Sequence, residues 1–196
     1  MAATIRLATE ADSTSIQRIY RAAVEHEATS FETEVPSVED LSQRIATTLV
    51  RTPWLAYDEE GEVLGYAYAS RHRDRAAYQW SVEVSAYVDR RAHRRGIGRA
   101  LYTTLFRILA LQGFHRAYAG ITLPNDASVG LHVAVGFTPV GVYRGVGFKH
   151  GAWHDVAWYE RDLQPTHLAP AGPPTPLSAL AGTAELTAAL DQTLRS

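Results

Sequence analysis

The sequence predicts a single α/β domain of the α+β kind, and three observations carry that prediction. Segments whose apolar residues alternate in twos are interleaved with segments whose apolar residues recur every three or four positions. Two apolar runs at 54–57 and 63–69 are joined by a short acidic turn, so the strands are antiparallel neighbours and the order is not a repeated βαβ. With 196 residues, 46% hydrophobic and 20% charged, the chain can bury a core without covalent staples.

The elements follow in order. Residues 5–7 read as a first strand. Thr9 with Asp12 three positions on marks a helix start, after which Ile16, Ile19, Tyr20, Ala23 and Val24 keep helical spacing. Ser37 caps a second helix with Asp40 in its first turn and Leu41, Ile45 and Leu49 on one face, ending before Pro53. The loop between these helices holds Phe31, Glu32 and Thr33. Residues 54–57 and 63–69 form the hairpin around 58–62.

From 80 to 88 the alternation sets Trp80, Val82, Val84, Ala86 and Val88 on one side and Ser81, Glu83, Ser85 and Tyr87 on the other, which places a carboxylate in mid-strand. The basic turn 90–98 then runs into Leu101, Leu105, Ile108 and Leu109, an amphipathic helix stopped by Gly113. Residues 117–123 are a further strand. Asn125 or Asp126 caps a short helix through Val135, and Gly136 ends it. Two strands, 137–148 and 153–161, close a domain of residues 1–163. Residues 164–196 are a tail: Pro165, Pro170, Pro173, Pro174 and Pro176 form a linker, and Leu186, Leu190 and Leu194 at four-residue spacing leave room for a short C-terminal helix.

Composition excludes several chemistries. There is no cysteine, which removes disulfides, thiolate metal sites and any acyl-cysteine intermediate. The formal net charge is -2, and the basic residues gather at 71–75 and 90–99, which favours a local anion site over a nucleic-acid surface. No basic segment leads into an apolar run at the N-terminus, and no stretch approaches the roughly 18 apolar residues of a membrane span, so no membrane partner is expected and a cytoplasmic location follows by default. His150, His154 and Asp155 invite a metal reading, but two histidines four apart on a strand stand about 13 Å from each other, too far to share one ion. No metal is expected.

The segment 88–99 offers backbone N–H groups unshielded at Gly96 and Gly98, several arginines and a helix N-terminus, a combination that suits a pyrophosphate. The same residues are equally those of a solvated basic turn that starts a helix. No Gly-Lys-Ser or Gly-Lys-Thr follows, so a P-loop fits poorly, and the third glycine of a dinucleotide fingerprint is missing.

A strand, a basic turn ending Arg-Arg-Gly-Ile-Gly-Arg-Ala-Leu and a helix resemble the coenzyme A signature of the GNAT acetyltransferases, and 125–137 is similar to that family's second motif. The resemblance extends to the phosphinothricin acetyltransferase branch through Arg6-x-Ala8-Thr9-x-x-Asp12, Phe31-x-Thr33-Glu34, Arg75-x-Ala77-Tyr78-x-Trp80, Leu123-Pro124-Asn125-Asp126 and Gly147-Phe148-Lys149-His150-Gly151-x-Trp153-His154-Asp155-Val156. It covers roughly 5–162 and leaves the tail outside.

The resemblance implies a mixed, mostly antiparallel sheet flanked by helices, with strands 80–88 and 117–123 splayed to admit acetyl-coenzyme A as cosubstrate. It implies that the backbone of Ala86, Tyr87 and Val88 meets the pantetheine, that the N–H groups of Arg94, Arg95, Gly96, Ile97, Gly98 and Arg99 hold the pyrophosphate, and that Asn125 bonds the cofactor as well as, or instead of, capping its helix. His93 departs from the family's usual Gln or Arg. Glu83 becomes the expected general base, since an ammonium must lose a proton before it can attack a thioester; on residues alone it is a solvated strand glutamate. His132 stands where many members carry a proton-donating tyrosine, and packing or capping is its other reading. Arg75 becomes the carboxylate clamp, with Phe31, Glu32 and Tyr78 lining the acceptor pocket; a solvated loop is the other reading of Arg71, Arg73 and Arg75. The implied reaction is direct acetyl transfer to the α-amino group of phosphinothricin, methionine sulfone or methionine sulfoximine, by a homodimer. Acetylation of a peptide or protein N-terminus, and a coenzyme A-binding regulatory protein, are the alternatives.

Overall fold

A computed structural model of the protein describes residues 3–165 and 169–191. Leu194, expected on the tail helix, lies outside the described residues. The strands are β1 (Thr4–Leu7), β2 (Trp54–Glu59), β3 (Glu62–Arg71), β4 (Ser81–Val88), β5 (Arg116–Thr122), β6 (Thr138–Lys149) and β7 (Ala152–Asp162). They form one sheet in the order β1-β2-β3-β4-β5-β7-β6, antiparallel throughout except between β4 and β5. The β2–β3 turn is closed by Glu60 and Gly61, both at positive φ, and the β6–β7 turn by His150 and Gly151 in the same way.

Helices α1 (Ser13–Glu25) and α2 (Val38–Leu49) cover one face, where Ile16, Ile45, Trp54 and Tyr66 are buried together. The start of α1 is set by Asp12, whose carboxylate accepts from Thr9 N at 2.7 Å and from Arg6 at 2.8 Å. Helix α2 begins as expected at Ser37, whose hydroxyl accepts from Asp40 N at 3.0 Å. Helix α3 (Ile97–Gln112) covers the other face with Leu101, Leu105, Ile108 and Leu109 fully buried, and it stops at Gly113 in the left-handed conformation. Helix α4 (Asp126–Ala134) follows β5.

Residues 169–191 lie against the domain. They contain α5 (Leu177–Leu180) and α6 (Ala184–Asp191), and Leu177 and Leu186 are buried in the core beneath α3. Burial of two leucines on an otherwise polar, Pro-rich segment is enough to dock it.

The feature that positions the site is a split in the sheet. Parallel pairing of β4 with β5 runs from Ser81–Arg116 to Glu83–Tyr118 and stops. Beyond that point β4 continues on β3 as far as Val88, and β5 continues on β7 as far as Thr122. The two strands therefore part, leaving the facing backbone of 84–88 and 119–122 without a strand partner.

Candidate active site

The turn after β4 is built by Asp89. Its carboxylate is buried, accepts from Arg91 N at 3.0 Å, and pairs with Arg91 and Arg18. Hydrogen bonding from Arg91, aided by Arg18, holds its carboxyl well below the usual range despite the opposing desolvation. The chain then passes through Arg94 and Gly96, both left-handed at φ 62° and 80°, before α3 begins at Ile97. Left-handed residues just before a helix suit an anion cradle, in which backbone N–H groups and the positive end of the helix face one ligand. The Arg95 guanidinium pairs with Glu59 at 2.6 Å, so this residue offers the cradle only its backbone. A Cβ on Gly98 would stand 2.9 Å from Leu131 Cδ2, so glycine here leaves room for the Leu131 side chain beside the start of α3.

The cradle opens into a cleft of about 470 Å³ between the parted strands. Ala86, Tyr87 and Val88 form one wall, Gly120, Ile121 and Thr122 the other, and Asn125, Leu131 and His132 the end toward α4. Arg94, Gly96, Ile97, Gly98 and Arg99 line its mouth. Asn125 does cap α4, its Oδ1 accepting from Ser128 N at 3.0 Å, and it also faces the cleft. The fit to an acyl-coenzyme A is good: an anion cradle leads into a slot edged by unpaired strand backbone.

His132 is 5% exposed, and both ring nitrogens are engaged. Its Nδ1 lies 2.7 Å from Ser128 O, which can only accept, so Nδ1 carries the proton and Nε2 accepts from Tyr102 Oη at 3.0 Å. Burial lowers its pKa below the usual 6.5. At neutral pH this side chain is therefore a neutral imidazole fixed in one tautomer, which disfavours an imidazolium as the proton donor.

Glu83 sits at the vertex, in the last residue pair before the strands part. Its Oε1 is 3.0 Å from His72 Nδ1 and 3.3 Å from Arg73 Nη1. The His72 ring is stacked on Tyr118 at 4.4 Å and 17°, and Arg73 lies over Trp158 at 6.0 Å. Arg73, read from sequence as solvated, is thus the arginine beside Glu83. Arg75 and Tyr78 bracket the short turn Ala76–Tyr78; both are exposed, and Arg75 has no side-chain partner among the described residues. Tyr78 reaches this group through His72, edge to face at 6.1 Å.

Phe31 and Glu32 have partners of their own. The Phe31 ring rests on Gly147 of β6, where a Cβ would come within 2.3 Å of it. Glu32 accepts from Arg44 at 2.7 Å and from Tyr20 Oη at 3.1 Å. Three side chains here escaped the sequence reading: His72, Tyr102 and Lys149. Lys149 is buried, with Nζ donating to Ser30 O at 2.6 Å and Ala23 O at 3.3 Å, which ties the loop of Phe31 and Glu32 to β6; desolvation lowers its pKa. The signal for Lys149 was its place in the Gly147–Gly151 motif. His150 occupies the β6–β7 turn, not a strand, while His154 meets Lys149 O at 3.0 Å. Among the described residues no three His, Asp or Glu are grouped to hold a metal.

A family model described as an acetyltransferase (GNAT) domain matches residues 5–158. The chain is 41% identical over 160 residues to phosphinothricin N-acetyltransferase of Streptomyces viridochromogenes, covering 82% of this chain and 87% of that protein. It is 37% identical over 175 residues to the L-methionine sulfoximine/L-methionine sulfone acetyltransferase of Pseudomonas aeruginosa, covering 87% and 100%. The crystal structure of a GNAT superfamily phosphinothricin acetyltransferase from Sinorhizobium meliloti in complex with AcCoA is similar with a TM-score of 0.83 and 38% identity, over 87% of this chain and 94% of that one.

Proposed function

The chain belongs to the GNAT acetyltransferases, and from that membership we propose that it transfers the acetyl group of acetyl-coenzyme A to the α-amino group of a small amino acid with a tetrahedral side-chain head, of the phosphinothricin, methionine sulfone or methionine sulfoximine type. The single observation that carries the reading is the split between β4 and β5, with an anion cradle at its mouth and Glu83 at its vertex. Names of the relatives supply the acceptor class.

In this reading the N–H groups of 94–99 hold the pyrophosphate, and backbone groups of Ala86, Tyr87 and Val88 meet the pantetheine with Asn125 beside them. Glu83 takes the proton of the acceptor ammonium through Oε2, directly or through a water, because Oε1 is occupied by His72 and Arg73. The freed amine forms a C–N bond with the thioester carbonyl carbon, the C–S bond breaks, and the sulfur leaves as a thiolate. His132 takes an indirect part: its ring nitrogens are committed to Ser128 and Tyr102, so it fixes Tyr102 and the cleft wall while water returns the proton to sulfur. Holding both reactants across one vertex supplies orientation. Arg75, exposed and without a side-chain partner among the described residues, is free to take the acceptor carboxylate, and in this reading Phe31, Glu32 and Tyr78 line the rest of that pocket.

The assembly we propose is a homodimer through the outer face of β6 and β7. Val140, Val142, Phe148 and Trp153 are 56%, 45%, 58% and 69% exposed there, and β6 is an edge strand. An apolar edge of this length is covered in most proteins, and a second copy of the same face would cover it. A cytoplasmic location accords with the absence, among the described residues, of a helix long and apolar enough to cross a membrane.

The test is thiol release from acetyl-coenzyme A with phosphinothricin, methionine sulfone, methionine sulfoximine, ordinary amino acids and a short peptide as acceptors. Turnover confined to the amino-acid analogues is expected. Turnover with the peptide alone would replace this reading by N-terminal acetylation, and tight acetyl-coenzyme A binding without turnover would replace it by a regulatory role.

A further inference from the structure

Residues 169–191 fall outside the family resemblance, yet they are fastened to the parts of the molecule that carry the acceptor side of the site. Trp80 Nε1 donates to Gly172 O at 2.8 Å. Gln112, the last residue of α3 and 2% exposed, donates from Nε2 to Thr175 O at 2.8 Å and to Arg51 O at 2.6 Å, and its own carbonyl accepts from Thr175 N at 2.7 Å. Leu177 N donates to Arg51 O at 3.1 Å. Leu177 and Leu186 are 2% and 5% exposed, sealing the segment onto the core. One strap therefore joins the end of α2, the end of α3 and the residue that enters β4.

Trp80 is the point where this matters for the chemistry. It closes the loop that carries His72, Arg73, Arg75 and Tyr78, and it stands three residues before Glu83. Its carbonyl accepts from His115 N at 2.9 Å, so its backbone is fixed to the start of β5 while its indole is fixed to the strap. Most of the loop is otherwise exposed. A loop with few buried contacts is drawn from the low-stability end of a fold and needs an external tie to keep a binding geometry.

We propose that residues 169–191 are a positioning strap for the acceptor loop, acting through the Trp80–Gly172 hydrogen bond, and that Trp80 is a positioning residue for acceptor binding. This rests on the acetyl-transfer reading above for its kinetic consequence, though not for its structural one. Among the described residues the strap bonds none of the cradle or of the cleft walls, so acetyl-coenzyme A binding is left alone.

Two full-length variants test it: Trp80→Phe, which keeps the ring and removes the donor, and Leu177→Ser with Leu186→Ser, which loosens the docking. Amide hydrogen exchange of 72–80 is expected to speed up in both while 94–98 stays as in the parent. In steady-state assays the KM for the amino-acid acceptor is expected to rise about threefold to tenfold in Trp80→Phe, the scale of one hydrogen bond, with the KM for acetyl-coenzyme A unchanged. Unchanged exchange at 72–80 in both variants would overturn the strap, and an equal rise in both KM values would overturn the assignment to the acceptor loop. If the parent protein turns over no acceptor at all, the acetyl-transfer reading fails, and the exchange experiment still decides the strap.

Discussion

His72 Nδ1 and Glu83 Oε1 are 3.0 Å apart, and Arg73 shares the same oxygen at 3.3 Å, so both contacts hold Glu83 through one oxygen and leave Oε2 to the chemistry. Glu83→Gln removes the proton acceptor and is expected to lower kcat by about 10² to 10⁴. His72→Phe keeps a ring against Tyr118 and removes only the hydrogen bond, so a smaller loss of about tenfold is expected. Initial rates at saturating acetyl-coenzyme A measure both. A loss in His72→Phe as large as that in Glu83→Gln would make the histidine part of the base itself.

The two arginines of this loop should separate kinetically. Arg75 has no partner among the described residues, so Arg75→Ala is expected to raise the acceptor KM about tenfold or more, the loss of a charge-assisted contact, and to leave kcat nearly unchanged. Arg73 touches Glu83 and should act mainly on kcat. An acceptor amine lacking a carboxylate should be insensitive to Arg75→Ala; equal sensitivity would end the clamp assignment.

The elements and their faces were legible because their signals are local. Ser37 and Asp40, Gly96, Gly113 and the alternation from Val82 to Val88 each fix geometry within a few residues. The parted strands were legible only through family resemblance, because the break lies between residues far apart in sequence, after Glu83 and Tyr118. His72 was missed for the same reason: a histidine in a basic loop carries no sign that its ring will stack on Tyr118 and reach Glu83. Tyr102 reads as one more buried helix residue until α4 brings His132 to it. The docking of residues 169–191 depends on two leucines and on Trp80 and Gln112, none of which composition alone connects.

His132 gives a pH dependence of stability. Burial puts its folded pKa below the usual 6.5, so the unfolded chain binds the proton more readily. Its neutral form therefore supports the fold fully above about 6.5, and this contribution is lost as pH falls through that value toward the folded pKa. His132→Gln keeps hydrogen-bonding capacity and cannot titrate. The Tm difference between parent and His132→Gln should shrink between pH 7.5 and 5.0, in about the range where histidine titrates. A difference constant across that range would mean that His132 is not held neutral.

Trp153 tests the assembly. It is the most exposed of the large apolar residues on the β6–β7 face and packs against Phe148 at 5.2 Å. Trp153→Asp places a charge in the proposed interface, where burying it without a partner is unfavourable. The parent is expected to elute with the mass of a dimer and the variant with that of a monomer in size-exclusion chromatography with light scattering. A monomeric parent would leave that apolar face to another partner.

Gly96 separates cofactor binding from folding. At φ 80° a branched side chain is strained, and the cost is about 1–2 kcal/mol for a left-handed residue. Nothing stands within 4 Å of a Cβ at this position, so the strain is conformational and not a clash. Gly96→Val can relieve it by redrawing the turn, which takes the N–H groups of the cradle out of line. The KM for acetyl-coenzyme A is then expected to rise about 5- to 30-fold, with the acceptor KM unchanged. Gly113 is the control, since it has φ 89°, is equally free of neighbours, and stands at the opposite end of α3 from the cradle. Gly113→Val carries the same conformational cost, so it should lower Tm and leave the KM for acetyl-coenzyme A where it is. If the two variants behave alike in both respects, Gly96 serves only the turn, and the anion cradle must lie elsewhere on the α3 N-terminus.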